Sequence, residues 1–432
     1  MTGRLTIVDD KLALFGGPKA VQVDPGDIFD WPIVTAEDEQ AVLEVLRAGT
    51  MSGTDVTRQF EAEFAAWMGV PYALAHCNGT AALQAAMWAV GVGRGDEVIC
   101  PSMTYWASGL PAMTLGARVV WADIEPDTLC LDPASAAQRI TDRTRAIVVV
   151  HYAGYPADMG PILELAHSRG VKVIEDASHA HGGLHEGVKL GAVGDVGAMS
   201  CMTGKSFAIG EGGMLVTADR EVYERAILWG HYERHGDLTI PALRALSGVA
   251  GPHVRTGLPL GAVKGRINQM ASAMGRVQLR HYDRRLDEIR KAMDRFWDGL
   301  EGTPGVRAHR PPAGSGRQMG GYYHARGLYR AHELGGLPLA RFCEALNAEG
   351  FPTAPGANMP LHLQPINQVD VYGDGRATLG APCPAGSLPV AESIDEIAFG
   401  VPWFKHCRPE TIDPYVAAVR KVAAHAEELM RE

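Results

Sequence analysis

The spacing of apolar positions changes along the chain. From Thr35 to residue 48, and again over 60–68, apolar residues recur with the period of an amphipathic helix. Thr35 followed by acidic residues is typical of a helix start. Short, wholly apolar runs then alternate with helical patterns. This alternation predicts buried strands at 98–100, 118–121, 146–150, 171–174 and 212–217, and helices at 81–90, 107–115, 134–140 and 160–167.

Strands that alternate with helices predict an α/β fold with a large mixed, mostly parallel sheet, covered on both faces. A helix is predicted from 219 to about 230, and 236–265, rich in Gly, Pro and Leu, is interpreted as a long functional loop. A long helical pattern follows over 268–300. We therefore predict three parts: an N-terminal segment (1–34), a large α/β domain (35–270), and a linking helix with a small C-terminal α/β domain (271–432).

Composition and charge narrow the functional classes. The 432 residues carry a formal net charge of −10, and their lysines and arginines are scattered, so no nucleic-acid footprint is visible. No stretch is apolar enough to span a bilayer, and the first residues lack a signal-peptide core. The seven cysteines include no CxxC pair, and their wide spacing fits reduced thiols. We expect a cytoplasmic protein with no metal, membrane or nucleic-acid partner.

Three short segments hold the candidate functional residues. Gly79 and Thr80 precede an apolar helix, so their backbone N–H groups can bind a phosphate at the helix N-terminus. Asp176 ends a predicted parallel strand, where side chains face the ligand crevice of such sheets. Lys205 follows a short apolar segment and precedes a Gly-rich turn. Partial desolvation there lowers the pKa of a lysine and makes it nucleophilic toward an aldehyde.

Taken singly, each candidate also has an ordinary structural explanation. The Gly-Thr pair can be a helix cap, Asp176 can cap the next helix, and Lys205 can be a solvated loop lysine. His179 can lie near a cofactor or be a packed core histidine, and Ser200 can add a phosphate contact. The order of these candidates along the chain favours the functional interpretation. A phosphate turn comes first, then Tyr105 to stack on a pyridine ring, then Asp176 to pair with its nitrogen, and then Lys205.

With these segments in this order, the chain resembles the DegT/DnrJ/EryC1/StrS family of sugar aminotransferases, within the fold-type I class of pyridoxal-phosphate enzymes. The resemblance runs from about residue 30 to the C-terminal helix. The segments that carry it are 77–83 (CNGTAAL), 101–108 (PSMTYWAS), 150–154 (VHYAG) with 157–159 (ADM), 174–179 (IEDASH), 200–205 (SCMTGK), 211–213 (EGG), 265–270 (GRINQM) and 361–365 (LHLQP).

The resemblance implies a role for each candidate residue. Lys205 matches the lysine that holds pyridoxal 5′-phosphate as a Schiff base. Asp176 matches the partner of the pyridine nitrogen, and Tyr105 matches the aromatic ring that stacks on the cofactor. Gly79, Thr80 and Ser200 match phosphate-binding positions. His179 matches a neighbour of the cofactor.

The resemblance also implies a homodimer and a reaction. Asn268 matches an asparagine that reaches the phosphate of the partner subunit's cofactor, so the two active sites are shared. The segment 230–265 matches a loop that enters the neighbouring site. The implied reaction moves an amino group from L-glutamate or L-glutamine to a keto-sugar or keto-cyclitol, in secondary-metabolite or amino-sugar biosynthesis such as that of antibiotics. Lys205 would act as general base and acid.

Two other functions stay open at this level. One is a pyridoxal-dependent dehydratase or eliminase on the same fold. In the related dehydratases a histidine replaces the lysine, so Lys205 argues against this alternative. The other is a non-catalytic, cofactor-binding regulator. Fused regulators carry an added DNA-binding module, and we see no room for one before Thr35 and no basic helix.

Overall fold

The protein is described by a computed structural model that covers residues 11–247, 257–368 and 383–431. Its strands are β1 (Tyr72–His76), β2 (Glu97–Pro101), β3 (Arg118–Ala122), β4 (Thr144–Val150), β5 (Lys172–Asp176), β6 (Leu184–His185), β7 (Val188–Lys189), β8 (Val196–Ser200), β9 (Gly213–Thr217), β10 (Val306–Ala308), β11 (Arg317–Gln318), β12 (Arg326–Tyr329) and β13 (Ala398–Gly400). Its α-helices are α1 (Ala36–Ala48), α2 (Asp55–Met68), α3 (Gly79–Ala89), α4 (Pro111–Thr114), α5 (Pro133–Ala137), α6 (Met159–His167), α7 (Arg220–Gly230), α8 (Pro241–Leu246), α9 (Gln269–Gly299), α10 (Leu339–Ala348), α11 (Pro365–Gln368), α12 (Pro389–Glu392), α13 (Ile394–Ile397), α14 (Pro409–Ala424) and α15 (Ala426–Arg431). None of these helices combines the length and apolar character that crossing a membrane requires.

Seven strands form the main sheet, in the order β1-β9-β8-β5-β4-β2-β3. From β8 to β3 all neighbours are parallel, whereas β9 pairs antiparallel with both β8 and β1. Every residue of β2 and β9 is buried, so both faces of the sheet are covered there. The predicted mixed, mostly parallel α/β fold is confirmed.

Since β1 also runs parallel to β8, the strands β1, β2, β4, β5 and β8 all end at one edge of the sheet. Ligands of open α/β sheets bind outside the carboxyl ends of the strands. The chain leaves this edge into the segments that contain the predicted phosphate turn, the aromatic Tyr105, the carboxylate Asp176 and the lysine Lys205. The topology therefore collects the candidate residues at one place.

Two strands of this sheet were not predicted, and one predicted helix is interrupted. The sequence of β8 is Val-Gly-Ala-Met-Ser, which is a weak strand pattern. A Cβ on Gly197 would lie only 2.0 Å from the carbonyl oxygen of Gly191, so this position requires glycine. The small residue is kept by this close approach, not by strand propensity. The predicted helix over 107–115 is a 3-10 turn (Trp106–Ser108) followed by α4, because Pro111 has no N–H to continue a helix.

The C-terminal part is built around a smaller antiparallel sheet of β10, β12 and β13. The long helix α9 packs against α1 and α2 at one end and against α14, so it connects the two parts. Within the predicted loop 236–265 the structure describes the short helix α8, and residues 248–256 lie outside the described residues. The division at residues 34 and 270 stays a prediction.

A buried ion pair holds residues 13–20 against helix α14. Glu349 is fully buried and accepts hydrogen bonds from the backbone N–H groups of Ala13 and Ala20, at 2.8 and 2.9 Å. The ammonium of Lys421, in α14, lies 3.0 Å from the same carboxylate and donates to the Pro18 carbonyl at 2.9 Å. One carboxylate therefore organises residues 13–20 against the C-terminal part.

Replacing Glu349 by alanine should lower the free energy of unfolding by about 3–5 kcal/mol, since Lys421 is then buried without its counter-charge. Urea denaturation followed by circular dichroism measures this. The matched control is Glu344→Ala in α10, the helix that ends just before Glu349, because the exposed pair of Glu344 with Arg341 is worth at most about 1 kcal/mol. Equal effects for the two variants would contradict the assigned role of Glu349.

Candidate active site

The predicted phosphate turn lies at the N-terminus of α3. The Asn78 side chain caps this helix by accepting a hydrogen bond from the Ala81 N–H at 2.9 Å. The N–H groups of Gly79 and Thr80 lie in the first turn, where a helix offers them no acceptor. A Cβ on Gly79 would lie only 2.6 Å from the Cβ of Ser200, so glycine lets the helix start against the end of β8. Backbone donors and the Ser200 hydroxyl therefore meet in one turn, as a phosphate requires.

The carboxylate of Asp176 is held by hydrogen bonds to both of its oxygens. Ser108 Oγ donates to Oδ2 at 2.7 Å, and the Ser178 N–H donates to Oδ1 at 3.1 Å. Thr104 Oγ1 lies 2.9 Å from Ser108 Oγ. Because the only hydroxyl proton of Ser108 goes to Asp176, Thr104 must donate to Ser108. Asp176 is 5% exposed, and this short chain fixes its orientation toward the cavity.

The amine of Lys205 is nearly buried and points at an aromatic face. Lys205 is 8% exposed, and its Nζ lies 3.9 Å from the centre of the Tyr323 ring. Burial lowers the pKa of its ammonium to about 8, although the charge of Asp176 and the thiol of Cys201 act in the opposite direction. Its backbone carbonyl accepts a hydrogen bond of 2.8 Å from the indole N–H of Trp31. The lysine thus has a reactive amine and a fixed main chain.

His179 is neutral and forms part of the wall beside Lys205. Its Nδ1 accepts a hydrogen bond from the Ala153 N–H at 3.3 Å, and Ala153 adopts a left-handed backbone (φ 53°) to point that donor. Burial and the nearby Lys205 ammonium hold the pKa of His179 well below its usual value. The ring packs against Tyr152 and Tyr323, with ring centres 5.4 and 4.7 Å apart.

These residues line one cavity of about 250 Å³. The sequence-predicted residues that it brings together are Gly79, Thr80, Tyr105, Asp176, His179, Ser200 and Lys205. Tyr105 is half exposed at its edge. Asn268 is not among the lining residues: its Oδ1 accepts from the Ala271 N–H at 2.9 Å and caps α9. Its predicted contact with a partner subunit stays a prediction.

The cavity also contains residues that the sequence did not single out. Ser108 and Thr104 belong to a segment of the family resemblance, but nothing in their spacing shows which of them meets Asp176. Met202 and Glu211 lie in two further segments of that resemblance, whereas three lining residues come from a distant part of the chain: Tyr323, His324 and Asn358. Only the left-handed backbone of Tyr322 and His324 marks their segment as unusual, and a sequence does not display backbone angles.

Comparison with known proteins identifies the family. Residues 32–420 match the DegT/DnrJ/EryC1/StrS aminotransferase family. The chain belongs to this family, so it is an aminotransferase that uses pyridoxal phosphate, as predicted.

Three similar proteins illustrate the relationship. An L-glutamine:2-deoxy-scyllo-inosose aminotransferase of Streptomyces fradiae is 35% identical over 356 residues, which are 80% of each chain. A dTDP-3-amino-3,4,6-trideoxy-alpha-D-glucose transaminase of Streptomyces venezuelae is 31% identical over 91% of this chain and 94% of its own. The crystal structure of an aminotransferase from Psychrobacter cryohalolentis superposes with a TM-score of 0.79 at 28% identity, covering 92% of this chain and 99% of that one.

The donor set of the cavity fits the cofactor of this family. A phosphate finds main-chain N–H groups at a helix N-terminus, where the Gly79 approach leaves room for no side chain. A pyridinium nitrogen finds an oriented carboxylate, and an aldehyde finds a desolvated amine. These three groups are the ones that pyridoxal phosphate presents, so the residues present are chemically sufficient to hold it.

Replacing Ser108 by alanine should weaken pyridoxal-phosphate binding by a factor of about 10 to 100, because a hydrogen bond to a charged group contributes about 1.5–3 kcal/mol. Titration of the apoenzyme, followed by tryptophan fluorescence, gives the dissociation constant. Ser168→Ala, which removes an exposed hydroxyl bonded to the Leu165 carbonyl, serves as control. An unchanged constant for Ser108→Ala would show that Asp176 does not need this donor.

The rate at which the apoenzyme captures pyridoxal phosphate should reveal the pKa of Lys205. Only the neutral amine attacks an aldehyde, so the rate should rise with pH and level off above about 8. An unperturbed lysine would level off only above about 10. Stopped-flow measurement of the visible absorbance at several pH values tests this, with Lys205→Ala as the blank. A midpoint near 10 would contradict the burial effect.

Proposed function

We propose that the residues of this cavity carry the roles that the family resemblance implies. The N–H groups of Gly79 and Thr80, with the Ser200 hydroxyl, bind the phosphate of the cofactor. The half-exposed ring of Tyr105 can lie over the pyridine ring. His179, which is neutral and packed, lines the cavity beside the position of the pyridine ring. Support comes from the convergence of these residues, distant in sequence, on one cavity.

Pyridoxal phosphate, when bound, supplies an aldehyde carbon and an electron-withdrawing ring to amino transfer. The carboxylate of Asp176, which Ser108 and Ser178 orient, would hold the proton on the pyridine nitrogen. Lys205 Nζ would hold the cofactor at its aldehyde carbon and, as a free amine, would move a proton at Cα of the amino donor. With a pKa of about 8, this amine can serve as base and as acid near neutral pH.

We further propose L-glutamine as the amino donor and an uncharged keto-cyclitol as the acceptor. The observation that carries the acceptor is the lining of the cavity. Beyond Lys205, the described lining contains no arginine or lysine, and the acceptor can meet the carboxylate of Glu211, the amide of Asn358 and the ring of His324. Such groups suit hydroxyls and would leave a diphosphate without a counter-charge. The name of the relative from S. fradiae supports the donor and the acceptor alike.

We also propose a cytoplasmic homodimer with shared active sites. The segment 257–265 exposes apolar side chains, with Leu258 77% and Leu260 44% exposed. Val263 and Lys264, in the same segment, line a cavity that adjoins Thr80. An apolar surface beside the phosphate turn suits coverage by a second copy of the chain, which would bring Asn268 toward the partner's phosphate. All seven cysteines are free thiols, which fits a reducing compartment.

The enzyme loaded with cofactor should convert 2-deoxy-scyllo-inosose and L-glutamine into an aminocyclitol, detected by mass spectrometry. L-glutamate and L-alanine test the donor, and a dTDP-linked keto-sugar tests the acceptor. We expect the cyclitol to exceed the nucleotide sugar by at least about tenfold in kcat/KM, since unpaired phosphate charges are costly to bury.

Lys205→Ala should abolish product formation, whereas Lys189→Ala, a surface lysine, should retain it. Turnover of the dTDP-linked sugar alone would overturn the proposed acceptor while leaving the aminotransferase intact. Full activity of Lys205→Ala would overturn the assigned mechanism.

A further inference from the structure

A second, smaller cavity lies between three segments of the chain and shares no lining residue with the cofactor cavity. Its volume is about 80 Å³. Trp31 comes from the N-terminal segment, Arg284, Arg285 and Glu288 come from α9, and Lys405 and His406 come from the segment before α14. Three cationic side chains therefore face a space large enough for a few water molecules or one small ion.

Lys405 is the least expected of these residues. It is only 6% exposed, and its ammonium has no hydrogen-bond acceptor and no carboxylate within 4.0 Å among residues 11–247, 257–368 and 383–431. Nζ lies 4.0 Å from the ring centre of Trp403. That cation–π contact is favourable but accepts none of the three N–H bonds. A buried ammonium is normally paired, so its open side calls for an anion.

Arg285 repeats the pattern on the opposite wall. Its Nη1 donates to the Gln278 side chain, but its Nε is buried and has no partner in the described part of the chain. The nearby carboxylate of Asp38 is occupied, since it accepts from Gln278 Nε2 at 2.8 Å and from Thr35. The guanidinium of Arg285 therefore adds a second, incompletely paired cation to the lining of the cavity.

The other charged residues near the cavity do not neutralise the positive charges of its lining. Glu288 is the acidic residue of the lining, and its carboxylate pairs with Lys291 at 3.2 Å. Burial lowers the pKa of Lys405 to about 8, and Asp30 opposes this only as a more distant charge, because it forms no ion pair with Lys405. Arg284 is exposed at the cavity. The cavity thus has three cations and one carboxylate that already has a partner.

We propose that this cavity is a binding site for a small oxyanion, such as inorganic phosphate or the carboxylate of a metabolite. The ammonium of Lys405 and the guanidinium of Arg285 are the donors, and Arg284 attracts the ion. The site is connected to the catalytic lysine through Trp31, which lines the cavity and donates its indole N–H to the Lys205 carbonyl at 2.8 Å. Binding of the anion holds the N-terminal segment in place beside Lys205.

Thermal denaturation of the cofactor-loaded enzyme tests this inference. Inorganic phosphate should raise the melting temperature saturably, by about 2–4 °C, relative to sodium chloride of equal ionic strength. The cofactor's own phosphate occupies the other site, so the effect reports on this cavity. Sodium acetate forms a second arm: an equal rise with acetate identifies a carboxylate site, and a rise with phosphate alone identifies a phosphate site.

Lys405→Met should lose the phosphate-dependent rise. In chloride it should melt at or above the wild-type temperature, because it removes a buried charge that has no partner. Lys189→Met is the matched control, since Lys189 also lies over a tryptophan ring, 5.0 Å from Trp67, but not at this cavity. That variant should keep the full rise.

Arg284→Gln, an exposed change that leaves the core untouched, should weaken phosphate binding severalfold and keeps the test valid if Lys405→Met is unstable. Two results would overturn the proposal: equal melting temperatures in phosphate, acetate and chloride, or a phosphate effect that survives in both variants.

Discussion

Two consecutive carboxylates at the end of β5 are buried, and much of the surrounding structure supplies the donors that they require. Neighbouring residues of a strand face opposite sides of the sheet. Glu175, fully buried, accepts from the N–H groups of 191, 193 and 194 and from His151. Asp176 accepts from Ser108 and Ser178. A buried carboxylate without such donors would lose its charge. The segments that donate to Glu175 and those that donate to Asp176 are therefore held in place by the same requirement.

Residues near both ends of the described chain pack together and reach the same edge of the sheet. Glu349 gathers residues 13–20 and Lys421 into one buried cluster, and a little further on Trp31 reaches the Lys205 carbonyl. Trp31 also packs on Trp403, with ring centres 5.7 Å apart. Segments that are far apart in sequence thereby meet at the backbone of Lys205. The position of Lys205 depends on this assembly as much as on its own loop.

The sequence predicted four strands of the parallel part of the sheet, β2 to β5, because each contains a short apolar run, as in 146–150. It also singled out seven residues that the structure brings together in one cavity, since their order and spacing reproduce a family pattern. It did not predict β8, where Gly197 is required by contact with Gly191. Nor did it predict Tyr323 or Lys405, because their roles arise from tertiary neighbours, not from any local pattern.

The hydrogen bond from Ala153 to His179 comes from the main chain, as do the N–H groups of Gly79 and Thr80. A main-chain donor such as that of Thr80 is inherited with the fold and survives replacement of its own side chain, whereas Gly79 must stay glycine to leave room for Ser200. The wall formed by Tyr323, His324 and Asn358 is different, because these residues contribute side chains from another part of the sequence. Replacement of these side chains can therefore change the shape and polarity of the cavity while the main-chain donors are kept.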